Sequence, residues 1–175
     1  MERYAAGDDA AFGEIYDLLA PRLYGYLLRR VRCTAHAEDL LQQTLLHVHR
    51  GRSSFMPGAD LMPWVFAIAR RLLIDGARQA KRQVELANED AGSGARSRTD
   101  AADDVVHGKQ LAWRLERELA RLPEAQRIAF ELLKQDGLSL AEAADVLGTT
   151  VGAVKLRLHR ANEALRAVLD EETNQ

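Results

Sequence analysis

The chain has 175 residues, of which 47% are hydrophobic and 29% charged, and its formal net charge is −2. A chain of this length can bury one sizeable core or two small ones. It has no apolar run near the roughly 20 residues of a membrane span and no opening secretory signal. We therefore expect a soluble, cytoplasmic protein. Its one cysteine, Cys33, excludes an internal disulfide and a cysteine-rich zinc site, and is expected to be a buried apolar residue.

The charge is unevenly distributed along the chain. Residues 1–82 hold 12 basic and 9 acidic residues, residues 83–108 hold 2 and 6, and residues 109–175 hold 10 and 11. A protein that binds DNA through bulk electrostatics would be basic. We therefore expect weak binding to free DNA, and predict that specific binding needs a partner that supplies further phosphate contacts.

All predicted elements are helices, because the sequence shows neither sustained two-residue alternation nor a hairpin-turn dipeptide. One helix is predicted over 8–19 and a second from Pro21, which suits the first position of a helix. A third is predicted over 35–50. Its core-facing residues are Leu41, Leu45 and Val48. The residues left for solvent or a partner are Glu38, Asp39, Gln42, Gln43 and Leu46.

A loop that contains Phe55 precedes the predicted fourth helix, which begins between Leu61 and Trp64 and ends at Arg82. Its basic residues are Arg70, Arg71, Arg78, Lys81 and Arg82. Cations near a helix C-terminus favour the helix dipole, so helix stability alone could explain the cluster. A cationic helix beside aromatic residues also suits single-stranded nucleic acid, because bases stack on aromatic rings and basic side chains follow phosphates.

An acidic, polar segment follows the fourth helix and almost lacks large apolar residues, which is typical of a flexible linker. It predicts a four-helix domain over 1–82, a linker over 83–105 and a smaller helical domain over 106–175. Alternatively, the acidic segment serves only to keep the protein soluble.

The segment 137–165 has the local signals of two helices around a tight turn. Ser139 with Glu142 three residues later indicates a capping box. Gly148 stands where the first helix must end, because glycine adopts the left-handed conformation without a Cβ clash. Two hydroxyl groups can cap the next helix, those of Thr149 and Thr150.

The second of these helices has two distinct faces. Its inward stripe is Val151, Val154, Leu158, Ala161 and Leu165. Its outer side holds Gly152, Leu156, His159, Arg160 and Glu163, flanked by Lys155 and Arg157. A support helix, a turn and a cationic second helix are the parts of a helix-turn-helix. Such side chains can contact guanine, other base edges and phosphates. The alternative is an ordinary amphipathic hairpin with a solvated face.

Five short segments, spread over nearly the whole chain, match motifs of one known family in order and spacing. They are 9–12 with Tyr16; 37–42 (Ala-Glu-Asp-Leu-Leu-Gln); Phe55 with Trp64 and 68–69; 122–127 (Leu-Pro-Glu-Ala-Gln-Arg); and 152–161. On these segments the chain resembles an extracytoplasmic-function (ECF) sigma factor of the bacterial sigma-70 family.

The resemblance implies a function and three sites. The protein would bind core RNA polymerase and direct transcription initiation at promoter DNA, under the control of an anti-sigma factor. The polymerase-docking residues would be Glu38, Asp39, Gln42, Gln43 and Leu46. The −10 element would be bound by Phe55, Trp64, Arg70, Arg71, Arg78, Lys81 and Arg82. The −35 element would be bound by Thr149, Thr150, Lys155, Leu156, Arg157, His159 and Arg160.

Departures from the family pattern limit what can be carried over. Arg70 and Arg71 stand where the family commonly has an asparagine, so the base preference of the family at the −10 element does not transfer to this chain. His47 and His49 are two residues apart and do not share a helix face, which disfavours a metal site. We expect no cofactor, no metal and no catalytic constellation.

Two other classes of protein remain possible on the sequence. A helix-turn-helix transcriptional regulator with a ligand-sensing domain would bind duplex DNA alone, usually as a dimer, but no dimerisation helix is evident. A sigma mimic that sequesters an anti-sigma factor would not need the cationic helix, which here is intact.

Overall fold

The computed structural model describes residues 1–88 and 108–173 of the chain. Its helices are α1 (Glu2–Ala5), α2 (Ala11–Val31), α3 (Thr34–Arg50), α4 (Leu61–Asn88), α5 (Gly108–Arg121), α6 (Glu124–Lys134), α7 (Leu140–Leu147) and α8 (Val151–Thr173). A single 3₁₀ turn, Arg52–Ser54, follows α3. No strand occurs in these two stretches. The all-helical prediction is therefore confirmed.

The chain divides into two compact units, Met1–Asp100 and Ala101–Gln175. The predicted end of the fourth helix at Arg82 is wrong, because α4 continues to Asn88. The predicted linker, 83–105, lies outside the described residues from position 89 onward. Within the described residues, every helix is too short or too polar to cross a lipid bilayer.

The first unit packs α2, α3 and α4 around one apolar core. Its fully buried side chains include Leu19, Leu23, Tyr26, Leu27, Val48, Val65 and Phe66. The rings of Tyr26 and Phe66 lie 5.2 Å apart between centroids and join α2 to α4. This core fixes the outward faces of α3 and α4.

Pro21 lies inside a continuous α2 rather than at the start of a second helix. The buried residues Ile15, Leu19, Leu23 and Leu27 recur every fourth position on both sides of it. Because this stripe packs on one core, the helix stays in register through the proline. Pro21 is exposed, so its missing N–H costs a hydrogen bond on the solvent side only.

Two burial predictions around α3 are wrong. Leu40 is buried and Leu41 is only half-buried, so the first turns of α3 face the core through Ala37 and Leu40. Cys33 is exposed, because it immediately precedes α3 in the turn after α2 and faces solvent. Leu45 and Val48 are buried as predicted.

The second unit packs α5, α6 and α7 against α8. Its buried residues include Leu119, Ala129, Leu132, Ala143, Ala144, Val146, Val154 and Ala161. Many of these are alanines, which allow helices to approach closely. The small core leaves one side of α8 uncovered.

Candidate nucleic-acid interface

The turn between α7 and α8 is built by local hydrogen bonds. The Glu142 backbone N–H donates to Ser139 Oγ at 3.2 Å, and the Ser139 N–H donates to Glu142 Oε2 at 2.7 Å. This is the capping box expected from the sequence. Gly148 ends α7 with φ 60° and ψ 44°, the left-handed conformation that glycine adopts most easily. Thr150 caps α8, because its Oγ1 accepts from the Ala153 N–H at 3.2 Å.

The outer side of α8 is exposed as predicted. Its exposed residues are Gly152, Lys155, Leu156, His159, Arg160 and Glu163. Arg157 is half-buried at one shoulder. Val154, Ala161 and Leu165 anchor the opposite side in the core. Val151 was predicted to face the core but is 45% exposed, because it lies in the first turn at the edge of the packed region.

The exposed side of α8 combines charge with one apolar group. His159 Nε2 lies 3.4 Å from Glu163 Oε1, one helical turn away. Neither Lys155 nor Arg160 forms an ion pair with any residue in the described part of the chain. Leu156 is 48% exposed beside them. This face can offer cations to phosphates, a guanidinium to a guanine edge and a methyl contact to thymine.

The surface of α3 carries a second candidate interface. Its exposed residues are Glu38, Asp39, Gln42, Gln43 and Leu46. The Gln43 side-chain amide donates to Asp39 Oδ2 at 2.7 Å, which orders two of these polar groups. Leu46 is exposed among them. An ordered polar face around one exposed leucine suits a protein partner.

Phe55 and Trp64 form a compact aromatic pair at the start of α4. Phe55 is only 7% exposed, and its ring meets Trp64 edge-on with centroids 5.2 Å apart. Trp64 also packs on Gly51, where an added Cβ would lie 3.3 Å from its ring. In this conformation Phe55 has no free ring face for a base, unlike the loop aromatic expected from sequence. The large hydrophobic side chain that the loop exposes is that of Met56, at 73%.

The basic residues of α4 lie well before the end of the helix. The last of them, Arg82, lies six residues before Asn88, the last residue of α4. Because the helix dipole acts on charges in the last turn, it does not explain these basic residues. Acidic neighbours partly neutralise them, with Arg71 at 3.8 Å and Arg78 at 4.0 Å from Asp75. Lys81 lies 3.6 Å from Glu85. Arg70 is half-buried and Arg82 is exposed.

One feature near this surface had no signal in the sequence: α1, at four residues, is too short to show helical periodicity. The two histidines at the end of α3, at which the sequence disfavoured a metal site, are both hydrogen-bonded within the first unit. His47 Nδ1 lies 2.8 Å from the Gln43 carbonyl oxygen, and His49 Nδ1 is hydrogen-bonded to the Tyr4 hydroxyl.

Two family profiles match the chain, one in each unit. Sigma-70 region 2 matches residues 15–83, and Sigma-70, region 4 matches residues 112–165. The first range covers the exposed faces of α3 and α4. The second covers α7, the turn after it and α8 as far as Leu165.

Curated relatives match over nearly the full length. The chain is 40% identical over 166 residues to the ECF RNA polymerase sigma factor SigF of Caulobacter vibrioides, covering 94% of this chain and 89% of that protein. It is 37% identical over 172 residues to the RNA polymerase sigma factor CarQ of Myxococcus xanthus, covering 98% of this chain and 96% of that protein.

A solved structure agrees with these matches. The sigma factor RpoE of Bartonella quintana, in complex with the anti-sigma factor NepR, is similar with a TM-score of 0.70 and 26% identity. The similarity covers 91% of this chain and 96% of that one. The chain therefore belongs to the extracytoplasmic-function RNA polymerase sigma factors of the sigma-70 family.

Proposed function

We propose that this protein binds core RNA polymerase and directs it to specific promoters by contacting the −35 and −10 elements. The observation that supports this best is the outer side of α8. It is exposed, cationic and held in place by a buried apolar stripe, within a segment that matches region 4. Initiation factors of this family are not enzymes, and we infer that the chain has neither a catalytic site nor a cofactor.

The −35 element is assigned to α8 and the turn before it. Lys155, Arg157, His159 and Arg160 supply cations or donors, and Leu156 supplies an apolar contact. The hydroxyl groups of Thr149 and Thr150 lie at the start of the helix, where side chains commonly contact phosphates. We assign base contacts to Leu156 and Arg160 because both are exposed and lie about one helical turn apart on the outer side of α8.

The −10 element is assigned to the first unit, at the 55–64 segment and along α4. Unstacking a base costs a few kcal/mol, so a protein surface must offset that cost when the duplex opens. Trp64, which is half-buried, supplies aromatic area, and Phe55 would add to it by turning out of its contact with Trp64. The basic side chains that would follow the phosphates are Arg70, Arg71, Arg78, Lys81 and Arg82.

Core RNA polymerase is assigned to the exposed side of α3. Replacing Asp39 and Gln42 together with alanine should weaken binding to core polymerase. Both side chains are exposed, so the fold should be retained. Fluorescence anisotropy with labelled protein measures the affinity. Asp17→Ala, an exposed carboxylate on α2, is the control for charge. Equal affinities for the double variant and the wild-type protein would refute this docking face.

We infer that a dedicated anti-sigma factor holds the protein inactive, since the similar RpoE of Bartonella quintana was solved with NepR. A factor that acts on RNA polymerase would work in the cytoplasm. Purification from unstressed native cells should recover the protein with its inhibitor. Recovery of free protein alone would count against such control.

The decisive experiment is run-off transcription with purified core polymerase and mapped start sites. A sigma factor should give transcripts from defined promoters only when core polymerase is present. An ordinary helix-turn-helix regulator would bind duplex DNA without polymerase, and a sigma mimic would start no transcript. Either of those results would overturn the proposal.

A further inference from the structure

The short helix α1 is anchored to the end of α3 by one tyrosine. Tyr4 is 2% exposed, and its ring lies 5.3 Å from that of Phe12 between centroids. Its hydroxyl is hydrogen-bonded to His49 Nδ1. The guanidinium of Arg52 lies over the same ring, 5.6 Å from the centroid. Because Tyr4 is held on three sides, α1 has a defined position next to the 3₁₀ turn.

Ion pairs tie the same helix to α2 and to the segment just before it. Arg3 contacts Asp8 at 2.7 Å and Glu14 at 3.0 Å. The guanidinium of Arg3 hydrogen-bonds the Asp8 carboxylate and lowers its pKa below the ordinary value. Because the two residues that follow it, Arg3 and Tyr4, are fixed in this way, Glu2 cannot move freely relative to the rest of the first unit.

Glu2 uses this fixed position to hold the tip of the loop before α4. Residues 56–59 form a β-turn in which the Ala59 N–H donates to the Met56 carbonyl at 3.1 Å. Pro57 and Gly58 occupy its central positions, and Gly58 has φ +78°, as in a type II turn. The N–H of Gly58 points out of the turn and donates to Glu2 Oε1 at 2.7 Å. A short hydrogen bond to a carboxylate is among the stronger kinds.

Packing between α1 and the tip of the loop is open. The junction between α1 and the loop is an open cleft of about 350 Å³, lined in part by Glu2, Phe55 and Leu61. The hydrogen bond from Gly58 is a direct tie between α1 and the turn, one residue after Pro57 and two after Met56.

We propose that Glu2 is a positioning residue for capture of the −10 strand, because it preorganises the loop that carries Phe55 and Met56. This inference rests on the proposed function. A loop whose backbone is already fixed loses less conformational entropy when single-stranded DNA binds. Glu2 itself need not touch DNA, since it acts through Gly58.

The loop contact can be measured without DNA. Amide hydrogen exchange of Gly58, followed by NMR in the full chain, should be about two- to tenfold faster in Glu2→Ala than in wild type. Glu2→Gln retains an acceptor oxygen and should restore most of the protection. Asp17→Ala removes an equally exposed carboxylate from α2 and should leave Gly58 unchanged. Unchanged exchange in Glu2→Ala would overturn the inference.

The consequence for DNA is measured with core polymerase and a promoter mapped by run-off transcription. A fluorescent base analogue in the non-template −10 strand reports opening. We expect Glu2→Ala to slow opening about threefold or more, within the range of one lost hydrogen bond, and Glu2→Gln to recover it. The Glu2→Ala variant should keep the wild-type affinity for core polymerase and the wild-type melting temperature. A general loss of structure would lower both.

The outcomes separate this inference from the proposed function. Faster Gly58 exchange with an unchanged opening rate would overturn the role of Glu2 in strand capture, while the sigma activity would stand. Failure of the wild-type protein to start any transcript would overturn the proposed function and this inference together.

Discussion

Replacing Arg160 on α8 tests whether this helix identifies bases or only binds the DNA backbone. Arg160 is exposed and has no ion pair within the described residues, so Arg160→Ala should not destabilise the second unit. A bidentate contact with guanine contributes about 1–3 kcal/mol of discrimination at one base pair, or roughly 5- to 150-fold in affinity. A phosphate contact contributes almost equally on every sequence. We expect the first result, because Arg160 is exposed on the outer side of α8 and its guanidinium forms no ion pair with any described residue.

The assay compares holoenzyme binding to a native promoter with binding to promoters that each carry one substituted −35 base pair. Arg160→Ala should lose discrimination at a single position and keep it at the others. Arg166→Ala is the matched control, since it removes the same charge from an exposed site about 9 Å further along α8. It should leave the base preferences unchanged.

A uniform loss of affinity across all promoters would refute base recognition by Arg160. The slope of log affinity against log salt concentration would then fall in magnitude by about one, as expected when one phosphate contact is removed. Equal behaviour of Arg160→Ala and wild type would remove Arg160 from the interface altogether.

Three further predictions concern the local structures that hold these surfaces. Ser139→Ala removes the acceptor for the Glu142 N–H and should destabilise the second unit by about 1 kcal/mol, measured by amide exchange. Gly148→Ala should lower the free energy of unfolding of the second unit by about 1 kcal/mol, because alanine is strained in the left-handed conformation. An added methyl group would meet no neighbour, so backbone strain is the only cost expected, and unchanged stability would refute it. The hydrogen bond from Arg3 lowers the pKa of Asp8 below its ordinary value of 3.8. The ionised Asp8 therefore stabilises the docking of α1 above that pH. Docking of α1 should therefore weaken as pH falls below about 3.8, and Asp8→Asn should abolish that acid dependence in amide exchange of α1.

Features set by neighbours in the chain could be predicted from the sequence. The capping box of Ser139 and Glu142 depends on residues three positions apart, and the conformation of Gly148 depends on one residue type. Thr150 caps α8 for the same local reason. The exposed sides of α3 and α8 followed from helical periodicity, which requires only that each helix bury one stripe.

Features that depend on distant contacts could not be predicted. Pro21 is a good helix start by local rules, but the shared core keeps α2 continuous around it. The burial of Phe55 depends on Trp64 across the loop. The position of α1 depends on Tyr4 reaching His49, 45 residues away. No periodicity within a short segment carries information of this kind.

The exposure of Cys33 gives this protein an unusual experimental advantage. It is the one cysteine of the chain and lies in the turn between α2 and α3, outside the core that those helices share. A thiol-reactive dye can therefore be attached at a single known point in the unaltered sequence. The same exposure leaves the thiol open to disulfide formation between two molecules in air, so a reducing agent belongs in every buffer until labelling.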